Sequence, residues 1–226
     1  MKAPYFVAID FDGTVTDVDI IDAILQEFAR PEWKEVEILW EQGLIGSREC
    51  LERQMAMVDR TLGQLLDYTD RFSIDETFEN FVGILEDRQI PFAIVSDGFR
   101  VFIERVLENA GLMGVPIIAN GLWEDQGRLI TAFPYADRDC NAANCKCTAV
   151  QDLSKDRSLI LIGDGQSDFC LAHKAGLVFT KKKLTAYCQR CKIPHYPFDN
   201  FADVAKFFDV KHAEAASLYS VVSGKD

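Results

Sequence analysis

Tyr5-Phe6-Val7-Ala8-Ile9-Asp10-Phe11-Asp12-Gly13-Thr14-Val15 is the stretch that decides the reading of this chain. Tyr5–Ile9 is an unbroken apolar run containing β-branched residues, the pattern of a strand buried on both faces. It stops on two aspartates and a glycine. Side chains two apart on extended backbone point the same way, so Asp10 and Asp12 face one ligand from the end of that strand.

The same design recurs further along. Phe92–Val95 runs into Ser96-Asp97-Gly98, and Leu159–Ile162 runs into Gly163-Asp164-Gly165-Gln166-Ser167-Asp168. Leu177–Phe179 and Pro116–Ala119 read as further strands, and 120–133, with Asp125-Gln126-Gly127, as a small hairpin. Helical patterns separate them. Ser73-Ile74-Asp75-Glu76 fits a capping box ahead of an apolar face of Phe78, Phe81, Val82 and Leu85. A second pattern runs from about Phe99 to Gly111, a short one covers Thr148–Leu153, and another follows Ser167 and ends at Gly176. Strands alternating with helices predict an α/β fold, a Rossmann-like parallel sheet whose strand ends converge on one site. Residues 15–71 differ, with helical patterns at Ile20–Ala29, Trp33–Glu41, Ser47–Val58 and Thr61–Asp70 and no strand. The expected organisation is a core of 1–14 and 72–210, an inserted helical cap of 15–71, and a tail of 211–226.

The polar strand ends suit phosphoryl transfer. One carboxylate, Asp10, attacks phosphorus while Asp12 handles the proton of the leaving group and then of water. Asp10 with Asp164 offers the few hard oxygen ligands that Mg²⁺ prefers. Carboxylates facing a phosphate dianion repel it unless cations intervene, so a metal and a lysine are required. Ser96, with nearby backbone N–H groups at Asp97 and Gly98, donates to phosphoryl oxygens, and Lys146 offsets developing charge. A single aspartate at a strand end is ordinarily a turn former. The argument rests on the combination.

That combination resembles the haloacid dehalogenase (HAD) superfamily of phosphatases, whose four motifs match at Asp10-Phe11-Asp12-Gly13-Thr14-Val15, Ser96, Lys146 and Gly163-Asp164 with Asp168. The resemblance implies Asp10 as nucleophile, Asp12 as acid/base, and Ser96 and Lys146 as phosphate ligands. It further implies Mg²⁺ held by Asp10, the Asp12 carbonyl and Asp164, with Asp168 supporting from behind, and it makes the insert a C1 cap. Within the superfamily, Phe28-Ala29-Arg30-Pro31-Glu32-Trp33 and the Cys-rich approach to Lys146 resemble the methionine-salvage branch, which acts on 2-hydroxy-3-keto-5-methylthiopentenyl-1-phosphate. Ser96-Asp97 and Gly163 through Cys170 resemble phosphocholine/phosphoethanolamine phosphatases instead. The expected substrate is a small phosphomonoester, with the methionine-salvage compound first, those two next and phosphoserine last.

Composition supports a small anionic ligand over a polyanion. Lys and Arg number 24 against 36 Asp and Glu, a formal charge of −12, which disfavours nucleic acid or an anionic membrane as partner. No apolar run approaches the roughly 18 residues of a membrane span, and no signal peptide is apparent, so a cytoplasmic protein is expected. The seven cysteines are expected to be reduced without a shared role, a structural zinc at Cys140, Cys145 and Cys147 being the alternative. Gly163-Asp164-Gly165 lacks the third glycine of a dinucleotide fingerprint, because Asp168 stands in its place. A phosphate-binding scaffold is the non-enzymatic alternative, but it has no use for Asp12. Lys181-Lys182-Lys183 reads as a solvated loop, Trp33 and Trp40 as cap core, Arg53 as a surface ion pair and Asp19 as a helix start.

Overall fold

In the computed structural model, which describes residues 3–208, Tyr5–Ile9 (β1) lies in the middle of a seven-stranded sheet. The other strands are Phe92–Phe99 (β2), Ile117–Asp125 (β3), Arg128–Ala132 (β4), Ser158–Gly163 (β5), Leu177–Thr180 (β6) and His195–Pro197 (β7). Their spatial order is β4-β3-β2-β1-β5-β6-β7, and every neighbouring pair is parallel except β3 with β4. The chain builds outward from β1 first on one side and then on the other. That reversal opens a crevice at the carboxyl ends of β1, β2 and β5.

Alternation along the strands fills two apolar layers. Phe6 and Ala8 of β1 join Leu159 and Leu161 of β5 and Val178 of β6 on one face. Val7 and Ile9 join Ile160, Ile162 and Phe179 on the other. Both faces are therefore buried, as the near-continuous apolar runs require.

Between β1 and β2 the chain forms four helices: Ile20–Phe28 (α1), Trp33–Glu41 (α2), Ser47–Met55 (α3) and Leu62–Thr69 (α4). Thr61 and Gln64 close a reciprocal capping box at the start of α4, as their spacing predicts. Ile24, Leu25, Met55 and Leu65 share one buried cluster with Val7 and Ile9, so the insert is packed onto the sheet layer. The remaining helices are Phe78–Asp87 (α5), Arg100–Asn109 (α6), Lys146–Val150 (α7), Phe169–Ala172 (α8) and Lys182–Cys191 (α9). Phe81 of α5, Phe102 of α6 and Phe201 cover one face of the sheet, while Val150, Leu171 and Leu184 cover the other. At the end of α4, Asp70 takes Arg105 of α6 in a two-bonded pair and Asn109 as well.

Several local expectations need correction. The capping box at Ser73 does not form. Asp75 accepts from both the backbone N–H and the hydroxyl of Thr77, and α5 starts only at Phe78. The strand at Phe92 does not end at Val95 but carries Ser96-Asp97-Gly98 within it, with an irregular register against β3. The helix after Ser167 is a 3₁₀ turn over Gln166–Asp168 followed by the short α8, ending at Ala172 well before Gly176. The Asp168 carboxylate folds back onto the N–H groups of Asp164 and Gly165 and tightens that turn. Lys182 begins helix α9 and is not in a loop. The hairpin forms as expected, with Gln126 at φ 46° and Gly127 at φ 73° suiting a two-residue turn. The tail of 211–226 lies outside the described residues. Among the described residues, no helix is long and apolar enough to cross a membrane.

Candidate active site

Asp10 follows β1 directly, and its N–H still bonds Ile162 O of β5, so sheet pairing fixes its backbone. The chain then turns tightly, with the N–H groups of Thr14, Val15 and Thr16 all meeting the carbonyl of Phe11. This turn swings Asp12 back over the strand end, where its Oδ1 accepts the first N–H of α1, from Ile20, at 3.0 Å. Its other oxygen faces Gly98 and Ser96. A Cβ at Gly98 would lie 2.9 Å from Asp12 Oδ2 and 3.1 Å from Ser96 Oγ, so only glycine leaves room there.

Lys146 is the fixed positive charge of the cluster. It is 0% exposed, and its Nζ lies 2.7 Å from both Asp10 Oδ1 and Asp168 Oδ1. Burial alone would lower the pKa of this ammonium, but Asp10 and Asp168 outweigh burial and hold it above the ordinary lysine value. Asp168 is fully buried, and its second oxygen accepts from the Asp164 and Gly165 N–H groups. Gly163 makes the space: a Cβ there would meet Asp168 Oδ2 at 2.3 Å.

Burial, then Asp168, push Asp10 well above the usual carboxylate range against the pull of Lys146. Burial and Asp19 raise Asp12 in the same way, and burial with Asp168 raises Asp164. Oxygens of Asp10, Asp164 and Asp168 all lie within 4.8 Å of one another. Three carboxylates so close, with the ionised form penalised, are the surroundings into which a divalent cation fits. Asp168 has both oxygens engaged by Lys146 and backbone, which leaves Asp10 and Asp164 as the open donors.

Asp10, Asp12, Ser96, Asp97, Gly98 and Asp164 line a single cavity of about 400 Å³ beneath the inserted helices. Lys146 and Asp168 stand behind Asp10 and are not among its lining residues. Asp97 is committed elsewhere: its carboxylate accepts from the Asn144 N–H and the Ser47 hydroxyl. Ser47 also accepts from Ala143 N and donates its own N–H to Asn141 O at 2.8 Å. Asp97 thus ties the start of α3 to the loop that delivers Lys146. The side-chain NH₂ of Asn144 bonds Ser96 O and Ile118 O, a buried link not foreseen from sequence.

The upper wall is acidic. Asp19, Asp22, Glu37, Glu41 and Trp40 line it, and Glu37 is held by Gln54 at 2.8 Å. Asp19 accepts from Asp22 N as the expected helix start and faces the cavity as well. Trp33 is cap core as expected, whereas Trp40 is a wall residue. Arg53 pairs with Glu49 at 3.3 Å on the exposed face. The three lysines beyond β6 have separate tasks. Lys181 Nζ bonds Thr14 O and lies 4.8 Å from the Phe198 ring centre, Lys182 Nζ reaches Gly13 O at 3.1 Å and Asp164 Oδ2 at 3.2 Å, and Lys183 lines the cavity. The seven cysteines are free thiols, with Cys147 and Cys170 within hydrogen-bonding reach of each other.

A parallel sheet carrying paired aspartates after its central strand, under a helical insert, defines a class, and the match is direct: the chain belongs to the haloacid dehalogenase-like hydrolases, whose family model covers residues 7–173. It is a phosphoric monoester hydrolase. Among curated relatives, the 2-hydroxy-3-keto-5-methylthiopentenyl-1-phosphate phosphatase of Geobacillus kaustophilus (strain HTA426) is 33% identical over 204 residues, spanning 86% of this chain and 91% of its own. The protein of the same name from Geobacillus thermodenitrificans (strain NG80-2) is 30% identical, over 90% of this chain and 95% of its own. Among solved structures, a phospho-aspartyl intermediate analogue of phosphoserine phosphatase superposes with a TM-score of 0.70 at 20% identity, covering 89% of this chain and 97% of the other, a likeness of fold.

Proposed function

We propose that the chain is a Mg²⁺-dependent phosphomonoesterase that works through an aspartyl-phosphate on Asp10, with residues 15–71 as its cap. The observation that carries this reading is the placement of Asp10: it is fixed by the central strand, paired to buried Lys146, and open to the cavity beside Asp12 and Ser96. Asp10 forms a bond to phosphorus as the ester oxygen leaves, and Asp12 gives that oxygen its proton. A raised pKa at Asp12 keeps the proton available near neutral pH. Asp12 then takes a proton from the water that opens the acyl phosphate. Ser96 and the Gly98 backbone face the phosphoryl oxygens, and Lys146 balances charge on Asp10. Asp10, Asp164 and the Asp12 carbonyl are the groups that would hold Mg²⁺, which when bound neutralises the transferring phosphoryl group.

For the substrate, the names and near full-length similarity of the relatives support 2-hydroxy-3-keto-5-methylthiopentenyl-1-phosphate. A specific observation favours a second reading. The wall of Asp19, Asp22, Glu37 and Glu41 with the Trp40 ring suits a cationic head group such as that of phosphocholine or phosphoethanolamine. Burial and Glu37 push Asp22 up to about 6, as expected of a carboxylate short of positive partners. Phosphoserine comes last, since Arg53 turns away from the cavity.

Steady-state kinetics on these four compounds tests the reading. The methylthio substrate is expected to lead in kcat/KM, and a tenfold preference for an aminoalkyl phosphate, about 1.4 kcal/mol of discrimination, moves the assignment to the second reading. Turnover of none of the four sinks both. Chelation is expected to abolish activity, Mg²⁺ to restore it and Ca²⁺ to restore little, because Ca²⁺ takes more ligands in a looser geometry. Full activity in metal-free buffer would refute the metal assignment.

A further inference from the structure

The strand ends gather more negative charge than Lys146 can balance. Asp10, Asp12, Asp164 and Asp168 converge there, and the ammonium of Lys146 is spent on Asp10 and Asp168. The ion pair to Asp164 comes from Lys182, whose Nζ lies 3.2 Å from Asp164 Oδ2 and 3.1 Å from Gly13 O. We propose that Lys182 sets the balance between cation and phosphate binding: its ammonium opposes a divalent ion at Asp164 and draws the phosphoryl group toward Asp10. The inference rests on the Mg²⁺-phosphatase reading above and adds to it a residue outside the four matched motifs.

Three observations carry it. The first is space. Gly13 stands at φ +75°, and a Cβ there would lie 2.2 Å from Asp164 Oδ2 and 2.7 Å from Lys182 Nζ, so the glycine is the gap through which the two side chains meet. The second is backbone conformation. Lys182 sits at φ 41°, a left-handed geometry that side-chain-bearing residues avoid and that tends to persist where the surroundings enforce it. Those surroundings are visible: Lys181 N bonds Gly163 O at 2.9 Å and Leu184 N bonds Asp164 O at 2.8 Å, so the start of α9 is stitched to the strand end that bears Asp164. The third is access. The Lys182 side chain is 51% exposed and lines the cavity, unlike buried Lys146. It can respond to what enters.

The two effects have opposite signs, which separates this role from a structural one. A divalent ion must share or displace the Asp164 oxygen that Lys182 holds, so the ammonium weakens metal binding. An incoming phosphate dianion gains from the same charge. If Lys182 merely propped Asp164 in place, its loss would weaken the metal too.

The test uses the full chain, stripped of metal. Calorimetric titration with Mg²⁺ measures the first affinity, and titration with inorganic phosphate at saturating Mg²⁺ measures the second. Lys182→Met is expected to tighten Mg²⁺ by about fivefold to tenfold and to weaken phosphate by a similar factor, the size of effect expected for one charge at short range in a partly solvated site. Lys182→Arg is expected to keep both constants within about twofold, since it keeps the charge. A Lys182→Met protein that binds Mg²⁺ more weakly overturns the proposal in favour of a prop, and unchanged constants overturn it in favour of an idle surface lysine. Lys182→Gln repeats the measurement should the methionine variant melt early. If the unaltered chain binds no Mg²⁺, the metal reading falls and this inference falls with it, an outcome distinct from any difference between variants.

Discussion

Replacing Asp10 by asparagine is expected to lower turnover of any phosphomonoester substrate by at least about 10⁴-fold, about 5.4 kcal/mol of barrier, while leaving the fold intact. An amide is nearly the shape of a carboxylate, and its oxygen can still accept from the Phe11 N–H, now 2.8 Å from Asp10 Oδ1, and from Lys146. It cannot form the acyl phosphate. Stability is spared for a reason of sign. Burial and Asp168 raise Asp10 above its ordinary pKa, so the folded state disfavours its ionised form near neutral pH, and a neutral side chain removes that penalty. Kinetics together with a circular dichroism melt decide the point. A variant with near-normal activity and an unchanged melt shows that Asp10 is not the nucleophile.

Lys146→Met is expected to damage both activity and stability. The substitution leaves Asp10 and Asp168 buried side by side with no ammonium between them, and removing one partner from a buried ion pair ordinarily costs about 3–5 kcal/mol. Here the cost falls at the lower end, because the pair can relax by taking up a proton. Urea unfolding should show a lower midpoint with an unchanged slope, and Mg²⁺ should recover part of the loss by supplying the missing positive charge. Turnover should fall by at least about 10³-fold, about 4 kcal/mol, even at saturating metal. An unfolding midpoint equal to that of the unaltered chain would mean that Lys146 is not the charge on which the cluster depends.

Much of this architecture is legible in the sequence because parallel strands buried on both faces write themselves as short apolar runs. Tyr5–Ile9, Leu159–Ile162 and Leu177–Phe179 match their strands to within a residue at each end for that reason. The three-residue β7 escapes notice, since His195-Tyr196-Pro197 has no apolar pattern and pairs along one edge only. Ser73 illustrates a different limit. Its spacing to Glu76 is right for a capping box, but Asp75 offers a stronger local acceptor to Thr77, and two adjacent cap candidates cannot be ranked from spacing alone. Residues that meet across long separations, such as Asn144 with Ser96 or Lys182 with Asp164, leave no trace in any local pattern. The triple lysine was visible, but its division among Thr14, Asp164 and the cavity depends on the stitching of α9 to β5.

The place of β1 at the centre of the sheet bears on when the protein becomes an enzyme. During synthesis Tyr5–Ile9 emerges first, yet its partners are Val7↔Phe92 on one side and Tyr5↔Ser158 on the other. Contacts so distant in sequence form slowly, because loop closure must precede them. Until residue 158 and beyond have left the ribosome, one edge of β1 stays unpaired and Asp10 has neither Lys146 nor Asp168 beside it. The carboxylate that leads the chain thus waits for the last strands, and a nascent fragment carries the signature residues of the family with no catalytic cluster. Premature termination anywhere before β5 yields an exposed apolar strand and no turnover, a liability in aggregation that the finished sheet removes.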